Sequence, residues 1–276
     1  MLNLPLRLRP TVCFCLLALP ALARSQTAPN ALPAGGQVAS GAVTLQQDAA
    51  TLRVHQASDK AIVNWQSFNI GRDAAVQFIQ PGAASTILNR VAGGPSDIAG
   101  RLTSNGRVYL VNPNGVLFGS SARVDVGGLV TAAGTVSDAS FLSGAPQIAT
   151  RGAVSNAGTI RTADGGSVVL AGAAVGNSGS ITAPQGAITL AAGDAVRINL
   201  SSDGLIQAQV TLAAAQASVA NSGILDSEGG RIALAASGVA GGAGGLVIES
   251  GIVRAGAVRS NGGTVSLIGG EVEASG

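Results

Sequence analysis

Hydrophobic positions in this chain fall in short runs that are separated by small and turn-forming residues. Three such runs are G-G-S-V-V-L at 165–170, Q-G-A-I-T-L at 185–190 and G-G-R-I-A-L at 229–234. Apolar runs of this length, bounded by Gly, Asn and Ser, are typical of β-strands joined by tight turns. Because no helical periodicity lies between these runs, the pattern predicts an all-β fold.

A second element recurs before each of these strands. It reads V-S-N-A-G-T-I from Val154, V-G-N-S-G-S-I from Val175 and V-A-N-S-G-I-L from Val219. A looser copy around Glu249–Val253 precedes G-G-T-V-S-L at 262–267. Strand-sized segments at a fixed spacing are the signature of a solenoid, and without helices we expect a parallel β-helix.

The asparagine of each copy measures the period of the coil. Asn156 and Asn177 are 21 residues apart, and Asn177 and Asn221 are 44 apart, about twice as far. We predict that all three lie at equivalent corners, and we hypothesise that their amides stack as a ladder. The glycines and asparagines of the corners are expected to meet positive φ values there.

The period also predicts the size of the coil. About 250 residues at about 21 per rung, with rungs about 4.8 Å apart, give roughly 12 rungs and a rod of about 55 Å. Segments that leave the coil, which we expect at 138–150 and 235–245, would make the rod shorter because their residues add no rung.

One turn carries an unusually complete signature, V-Y-L-V-N-P-N-G-V-L-F at 108–118. Asn112, Pro113, Asn114 and Gly115 suit the four successive positions of a type I turn, and the Asn112 side chain can accept from the backbone two residues on. The flanking runs, 108–111 and 116–118, are β-branched or aromatic and read as strands. Most such tetrapeptides are simple corners, so the turn alone indicates no function.

Composition agrees with a coil that has narrow apolar layers. The 276 residues include 40 Gly, 11% charged residues and 3% aromatic residues.

Region 30–120 departs from the repeat and holds most of the large side chains, so we place an N-terminal cap and the first rungs there and the repeat rungs at 121–276. The end of the chain shows no cap; we expect either a fragment of a longer protein or weak protection of the last rung by Glu271 and Glu273.

The first 23 residues resemble a secretory signal. Arg7 and Arg9 precede a short apolar stretch, and Ala21 and Ala23 fit a small-x-small cleavage site. The expected mature domain is therefore 24–276. Both cysteines lie inside the signal, so the mature chain is expected to have no disulfide and to depend on packing and backbone hydrogen bonds.

Residue chemistry argues against several function classes. The mature chain would carry 14 basic and 14 acidic residues and no basic block, so nucleic-acid binding is not expected. The acidic residues are spread almost singly, those near predicted corners being Asp164, Asp194, Asp203 and Asp226. The one histidine, His55, has no second histidine or cysteine for a metal site. We therefore predict no enzyme, no metal and no cofactor, with a β-helical polysaccharide-active enzyme or a structural matrix protein as the alternatives.

Longer runs around the turn resemble a known family. The runs are N-W-Q-S-F-N-I-G at 64–71, I-L-N-R-V-A-G-G at 87–94 and I-A-G-R-L-T-S-N-G-R-V-Y-L-V-N-P-N-G-V-L-F-G at 98–119. They are similar to the N-terminal domain of filamentous hemagglutinin-type exoproteins, the secreted partners of two-partner secretion (TPS) systems. The likeness covers roughly residues 30–200. A second Asn-Pro-Asn motif that part of the family carries does not occur in this sequence.

This resemblance implies a fold, a partner and a location. The fold would be a right-handed parallel β-helix with an N-terminal cap. The domain would carry the export signal that the periplasmic modules of an outer-membrane transporter recognise, in a Gram-negative bacterium. The exoprotein would be secreted or held at the cell surface as an adhesin or hemagglutinin, with a host-cell or surface receptor. The residues carried over to transporter recognition are Asn112, Pro113, Asn114, Gly115, Asn64, Phe68 and Asn69.

Overall fold

The computed structural model describes residues 27–200, 204–238, 245–255, 264–268 and 271–274. The predicted signal, with Ala21 and Ala23, lies outside these residues, as do Asp203 and most of the excursion expected at 235–245. The described chain is built from short strands and one helix of five residues. None of the described residues forms an apolar helix of membrane-spanning length.

The strands follow one another closely along the first half of the chain. In order they are β1 (Gln37–Ser40), β2 (Val43–Gln47), β3 (Thr51–Gln56), β4 (Lys60–Trp65), β5 (Ala75–Ile79), β6 (Thr86–Val91), β7 (Ser96–Ile98), β8 (Arg101–Ser104), β9 (Arg107–Val111), β10 (Val116–Phe118), β11 (Arg123–Val126), β12 (Gly128–Ala132) and β13 (Gly134–Thr135).

The helix and the remaining strands complete the described chain. They are α1 (Asp138–Leu142), β14 (Gln147–Thr150), β15 (Ala153–Asn156), β16 (Thr159–Thr162), β17 (Ser167–Gly172), β18 (Ala174–Asn177), β19 (Ser180–Thr182), β20 (Ala187–Ala192), β21 (Ala195–Leu200), β22 (Ile206–Leu212), β23 (Ser218–Asn221), β24 (Ile224–Asp226), β25 (Arg231–Ala236), β26 (Leu246–Glu249), β27 (Ile252–Arg254), β28 (Thr264–Ile268) and β29 (Glu271–Ala274).

The chain winds through three sheets in turn, which confirms the predicted parallel β-helix. Sheet A has the order β1-β4-β6-β9-β12-β17-β20-β25-β28, sheet B the order β7-β10-β15-β18-β23-β26-β29, and sheet C the order β2-β3-β5-β8-β11-β16-β19-β24-β27. Each rung passes from A to B to C and then returns to A, so the coil has an A–B corner, a B–C corner and a C–A corner. Neighbouring rungs pair in parallel and in register, as in Val154↔Val175 and Val175↔Val219.

The N-terminal end is closed by antiparallel pairing. Strand β1 runs antiparallel to β4 at the edge of sheet A, and β2 runs antiparallel to β3 at the edge of sheet C. Parallel pairing begins with β3 and β4. The region predicted as cap and first rungs therefore divides into a short antiparallel cap and several regular rungs, and the cap occupies the exposed strand edge that a solenoid must protect.

The interior is filled by side chains that stack from rung to rung. In sheet A one column of paired residues runs Ala61, Ile87, Val108, Leu129, Val168, Ile188, Ile232. In every strand, the residues that alternate with the inward-pointing ones point away from the interior. Strand β3 of sheet C accordingly shows a strict alternation of buried and partly exposed positions.

A fourth sheet lies outside the coil. Sheet D has the order β13-β14-β21-β22, is antiparallel and packs with α1 over the outer face of sheet A. This second apolar layer includes Leu88, Val130 and Val169 from sheet A and Phe141, Ile148 and Val196 from the covering elements. Strands β12, β17 and β20 are consequently buried along their whole length, which explains their continuous apolar sequences.

Sheet D corrects the predicted number of rungs. The 44-residue spacing between Asn177 and Asn221 does not hold an extra rung, since β18 pairs directly with β23 and places Asn177 opposite Asn221. The additional residues form β21 and β22. Eight parallel strands of sheet A are described, a stack of about 35 Å between the first and the last, instead of roughly 12 rungs and about 55 Å.

The expectation of positive φ at corner glycines is confirmed at the C–A corner, where Gly165 and Gly229 have φ of +72° and +79°, but not at the B–C corner. Gly158, Gly179, Gly223 and Gly251 stack at the B–C corner, and none of them has a positive φ. A Cβ on any of these four would instead collide with the carbonyl oxygen of the corner glycine one rung before it. Close backbone approach, and not a left-handed conformation, therefore selects glycine in this column.

Candidate functional site

The Asn112–Gly115 turn joins β9 and β10 at the A–B corner. The carbonyl oxygen of Asn112 accepts from the Gly115 amide at 3.1 Å, and Asn112 Oδ1 accepts from the Asn114 amide at 2.9 Å. Gly115 has a φ of +102°, which a residue with a Cβ rarely adopts. The turn and both flanking strands are as predicted.

Asn112 is a structural residue of this corner. Its side chain is fully buried, and Nδ2 donates to the carbonyl of Gly94 at 2.9 Å and to Ser96 Oγ at 3.0 Å. These acceptors belong to the A–B corner of the preceding rung, so Asn112 fixes both its own turn and the neighbouring one. A binding partner cannot touch this side chain without opening the corner.

The exposed part of the corner is Asn114, with Pro113 half-buried beside it. Asn114 Nδ2 donates to the carbonyl of Gly93 at 2.6 Å, again on the preceding rung. Within the turn, Asn112 is therefore buried and holds the corner, whereas Asn114 and part of Pro113 form a small surface that a partner can reach.

Phe68 and Asn69 lie two rungs before the turn, since Ile70 bridges to Ile98 of β7 and β7 in turn pairs with β10. Phe68 is buried and packs edge-on against Trp65, with ring centroids 5.6 Å apart. Asn69 Oδ1 accepts from the Asp97 amide at 2.9 Å. Strand β7 lies between Asn69 and the turn. Its residue Asp97 contacts Asn69 of the preceding rung, and its residue Ser96 contacts Asn112 of the following rung.

Asn64 occupies a different face, the outer side of sheet A. Its Oδ1 accepts from Arg90 Nε at 2.9 Å, and Arg90 extends to the carbonyl of Val136 at 3.1 Å and forms an ion pair with Asp138. Asn64 thus orients the arginine that holds the start of α1. By register Asn64 pairs with Arg90 and Arg90 pairs with Val111, so Asn64 lies next to the A–B corner two rungs before the turn, with its side chain on the outer face of sheet A.

The sequence analysis missed several residues that support the corner. Arg90, Gly93 and Gly94 have the contacts described above, and Asn89 accepts from Trp65 Nε1 at 3.0 Å and donates to the carbonyl of Tyr109 at 3.2 Å. All four lie in the run I-L-N-R-V-A-G-G at 87–94, which was used for the family resemblance without any role being assigned to its members.

The sequence comparisons identify the family. The sequence profile described as TPS secretion domain matches residues 30–276. This chain belongs to the TPS secretion domain family. Its members interact with outer-membrane transporters, and the exoproteins that carry them are secreted via the periplasm through those transporters. The family is in general non-enzymatic.

Relatives and a solved structure agree with this assignment. The crystal structure of the HMW1 secretion domain from Haemophilus influenzae is 30% identical, with a TM-score of 0.67, and the match covers 82% of this chain and 65% of that one. Two heme/hemopexin-binding proteins of Haemophilus influenzae are 46% identical over 92 residues and 41% identical over 99 residues. Those matches cover 33% and 36% of this chain but only 10% and 11% of the relatives, so the aligned segment is about a tenth of their length.

The three repeat asparagines of the secretion domain meet at the B–C corner, and their column begins one rung after the turn, where Asn156 pairs with Phe118. Asn156 Nδ2 donates to Asn177 Oδ1 at 2.8 Å, and Asn177 Nδ2 donates to Asn221 Oδ1 at 2.7 Å. Asn221 Nδ2 then donates to Glu249 Oε1 at 2.8 Å. All four side chains are buried, and the donors all run toward the C-terminus until a carboxylate ends the chain of hydrogen bonds. The geometry gives this ladder a structural role.

The acidic and histidine side chains do not assemble into a site among the residues that the structure describes. No group of three His, Cys, Asp or Glu residues there is placed to hold a metal ion. Asp226 Oδ1 accepts from the Glu228 amide at 3.2 Å, the corner role expected of it. His55 lies in β3, within the predicted strand alternation.

Proposed function

We propose that this secretion domain is the export signal of an exoprotein, and that the periplasmic modules of an outer-membrane transporter bind its first rungs at the A–B corner. One observation carries the proposal: the corner presents the exposed Asn114 on a turn that Asn112 fixes from inside. A recognition element needs such a rigid support, because ordering a flexible loop on binding would cost free energy.

The two asparagines therefore have separate roles in the proposal. Asn114 contacts the transporter, together with Pro113. Asn112 positions them through its hydrogen bonds to Gly94 and Ser96. Loss of Asn112 removes at least two buried hydrogen bonds and destabilises the corner by about 2–3 kcal/mol.

Secretion into the medium, measured with and without the matching transporter, tests this division. Asn114→Ala is expected to reduce secretion several-fold while the urea midpoint of the purified domain stays unchanged. Asn112→Ala is expected to reduce both secretion and stability. Ser222→Ala, a matched change at an exposed corner position of a distant rung, should leave both unchanged.

Folding can be followed independently of export, because Trp65 is the only tryptophan of the chain and lies in the interior of these rungs. Secretion of Asn114→Ala at the wild-type level would exclude a transporter contact at the corner. If secretion falls in every variant only as far as the stability of the domain falls, the turn has a purely structural role.

For the exoprotein as a whole we propose an adhesin-like or hemagglutinin-like role at the cell surface of a Gram-negative bacterium, with a host-cell or surface receptor, and no enzymatic activity. The names of the two curated relatives support heme or hemopexin binding as the second candidate. Binding of the secreted protein to erythrocytes and to immobilised hemin or hemopexin separates these roles. Turnover of polysaccharides by the secreted protein would instead favour the enzyme alternative.

A further inference from the structure

A cleft of about 290 Å³ lies where α1 and sheet D meet the outer face of sheet A. Its sheet A side is formed by the first residues of β4, β6 and β9, and its other side by the end of α1, the end of β21 and the start of β22. We call it the seam cleft. Its volume is close to the lower end of the range in which proteins bind small molecules, about 300–1,000 Å³.

Three donors line the seam cleft on the sheet A side. Tyr109 is only 7% exposed, and its hydroxyl has no hydrogen-bond partner among the described residues. Lys60 Nζ donates to the carbonyl of Leu142 at 2.7 Å, and Arg107 Nη2 donates to the carbonyl of Gly204 at 3.2 Å. Those acceptors are neutral, so both cations keep further donors available.

Among the described residues, the lining of the seam cleft carries more positive than negative charge. Within the described residues neither Lys60 nor Arg107 has a carboxylate within ion-pair distance. Asp59, an exposed residue at the cleft, is the acidic side chain among its lining residues. Burial raises the pKa of Tyr109 to about 12, with Arg107 opposing the rise, so the phenol is neutral and able to donate at physiological pH.

The opposite wall is apolar. Phe141 packs edge-on against the Tyr109 ring, with centroids 5.3 Å apart, and Ile198 and Ile206 are buried beside it. Leu200, at the rim, is 54% exposed. A phenol hydroxyl and two cations with spare donors therefore face a hydrocarbon surface across a small space, which suits a ligand with an anionic end and an apolar body.

We propose that the seam cleft binds a small carboxylate with an apolar body, whose oxygens accept from Tyr109, Lys60 and Arg107 and whose hydrocarbon packs on Phe141, Ile198 and Ile206. Hydrogen bonds from cations to a carboxylate are stronger than those between neutral groups, and the apolar wall supplies hydrophobic burial. This binding is independent of the proposed transporter contact, since the A–B corner lies on a different face.

Calorimetric titration of the purified protein tests the proposal, with octanoate as the probe of free fatty acids and N-acetyl-leucine as the probe of peptide-like carboxylates. Binding of either is expected, while octanol, which lacks the charge, and acetate, which lacks the apolar body, should bind at least about tenfold more weakly. Selective ¹³C labelling adds a direct readout, because Tyr109 is the only tyrosine of the chain and its ring signal must shift on binding.

Variants define the binding determinants. Arg107→Gln and Tyr109→Phe should each weaken binding about tenfold or more, whereas Arg123→Gln, on the outer face of sheet C, should not change it. Trp65 fluorescence shows whether each variant is folded. The proposal is overturned if neither carboxylate shifts the Tyr109 signal, or if octanol binds as well as octanoate, or if Arg107→Gln and Arg123→Gln bind alike.

Discussion

The rungs before β13 and those after β14 fill the same coil with different side chains. Before β13, the interior contains the aromatic residues Trp65, Phe68, Phe78 and Phe118. After β14, the described interior is built from Val, Ile, Leu and Ala. Aromatic rings fill the irregular space next to the antiparallel cap, whereas small aliphatic side chains allow each rung to stack on an almost identical one.

The corners show the same contrast. In the first rungs, Gln80 Nε2 donates to Gln56 Oε1 at 2.9 Å and Ser104 Oγ donates to Gln80 Oε1 at 2.5 Å, a ladder of unlike residues at the C–A corner. In the later rungs, the asparagine ladder repeats one contact at the B–C corner. Repeated corners make the later rungs resemble one another, whereas each corner of the first rungs has its own set of side chains.

The largest effect should come from an aromatic residue of the first rungs. Phe118 is fully buried directly after the exposed turn, and Phe118→Ala should lower the free energy of unfolding by about 3–5 kcal/mol, because it leaves a large cavity. Ile181→Val, a one-carbon truncation in the later rungs, should cost only about 0.5–1.5 kcal/mol. Urea unfolding followed by circular dichroism and Trp65 fluorescence measures both, and equal losses would remove the contrast between the two interiors.

Breaking the asparagine ladder should have the next largest effect. Asn177→Ala leaves Asn156 Nδ2 and Asn221 Oδ1 buried without their partners, and should cost about 3 kcal/mol. The neighbouring exposed change, Ser178→Ala, should cost less than about 0.5 kcal/mol. A loss below about 1 kcal/mol for Asn177→Ala in urea unfolding would show that the ladder adds little to the repeat.

Two glycines of the same repeat should respond to alanine in opposite directions. A Cβ at Gly179 would collide with the carbonyl oxygen of Gly158, so Gly179→Ala should cost about 2 kcal/mol. At Gly176 nothing lies within 4 Å of the added Cβ, so Gly176→Ala should gain about 0.5 kcal/mol by restricting the unfolded chain. Thermal unfolding of the pair tests whether rung spacing selects glycine, and equal changes would contradict that explanation.

The smallest effect should be a gain at Thr131, where the first rungs adjoin the repeat. Thr131 is fully buried in line with Leu110 and Leu170, and its Oγ1 has no hydrogen-bond partner among the described residues. Thr131→Val keeps the shape and removes the unpaired hydroxyl, so it should raise the free energy of unfolding by about 1 kcal/mol. A loss in urea unfolding would indicate that the hydroxyl has a partner in solution.

The sequence alone predicted the features that depend on near neighbours along the chain. The apolar runs and their spacing specify strands and a coil, since a period near 21 residues places like residues on successive rungs. The turn at Asn112–Gly115 is equally local, because an asparagine, a proline and a glycine at those positions each favour the required dihedral angles.

Only the tertiary structure decided what those elements contact. Asn112 is buried and Asn114 exposed because the preceding rung supplies Gly93, Gly94 and Ser96, whose approach no local pattern encodes. The 44-residue spacing between Asn177 and Asn221 is compatible with two rungs and equally with one rung plus a hairpin. The structure has one rung plus a hairpin, because β21 and β22 pack on sheet A. Local propensity therefore fixed the strands and the turn of this protein, whereas contacts between residues distant in sequence decided which of its polar side chains hold the coil together and which of them a partner can reach.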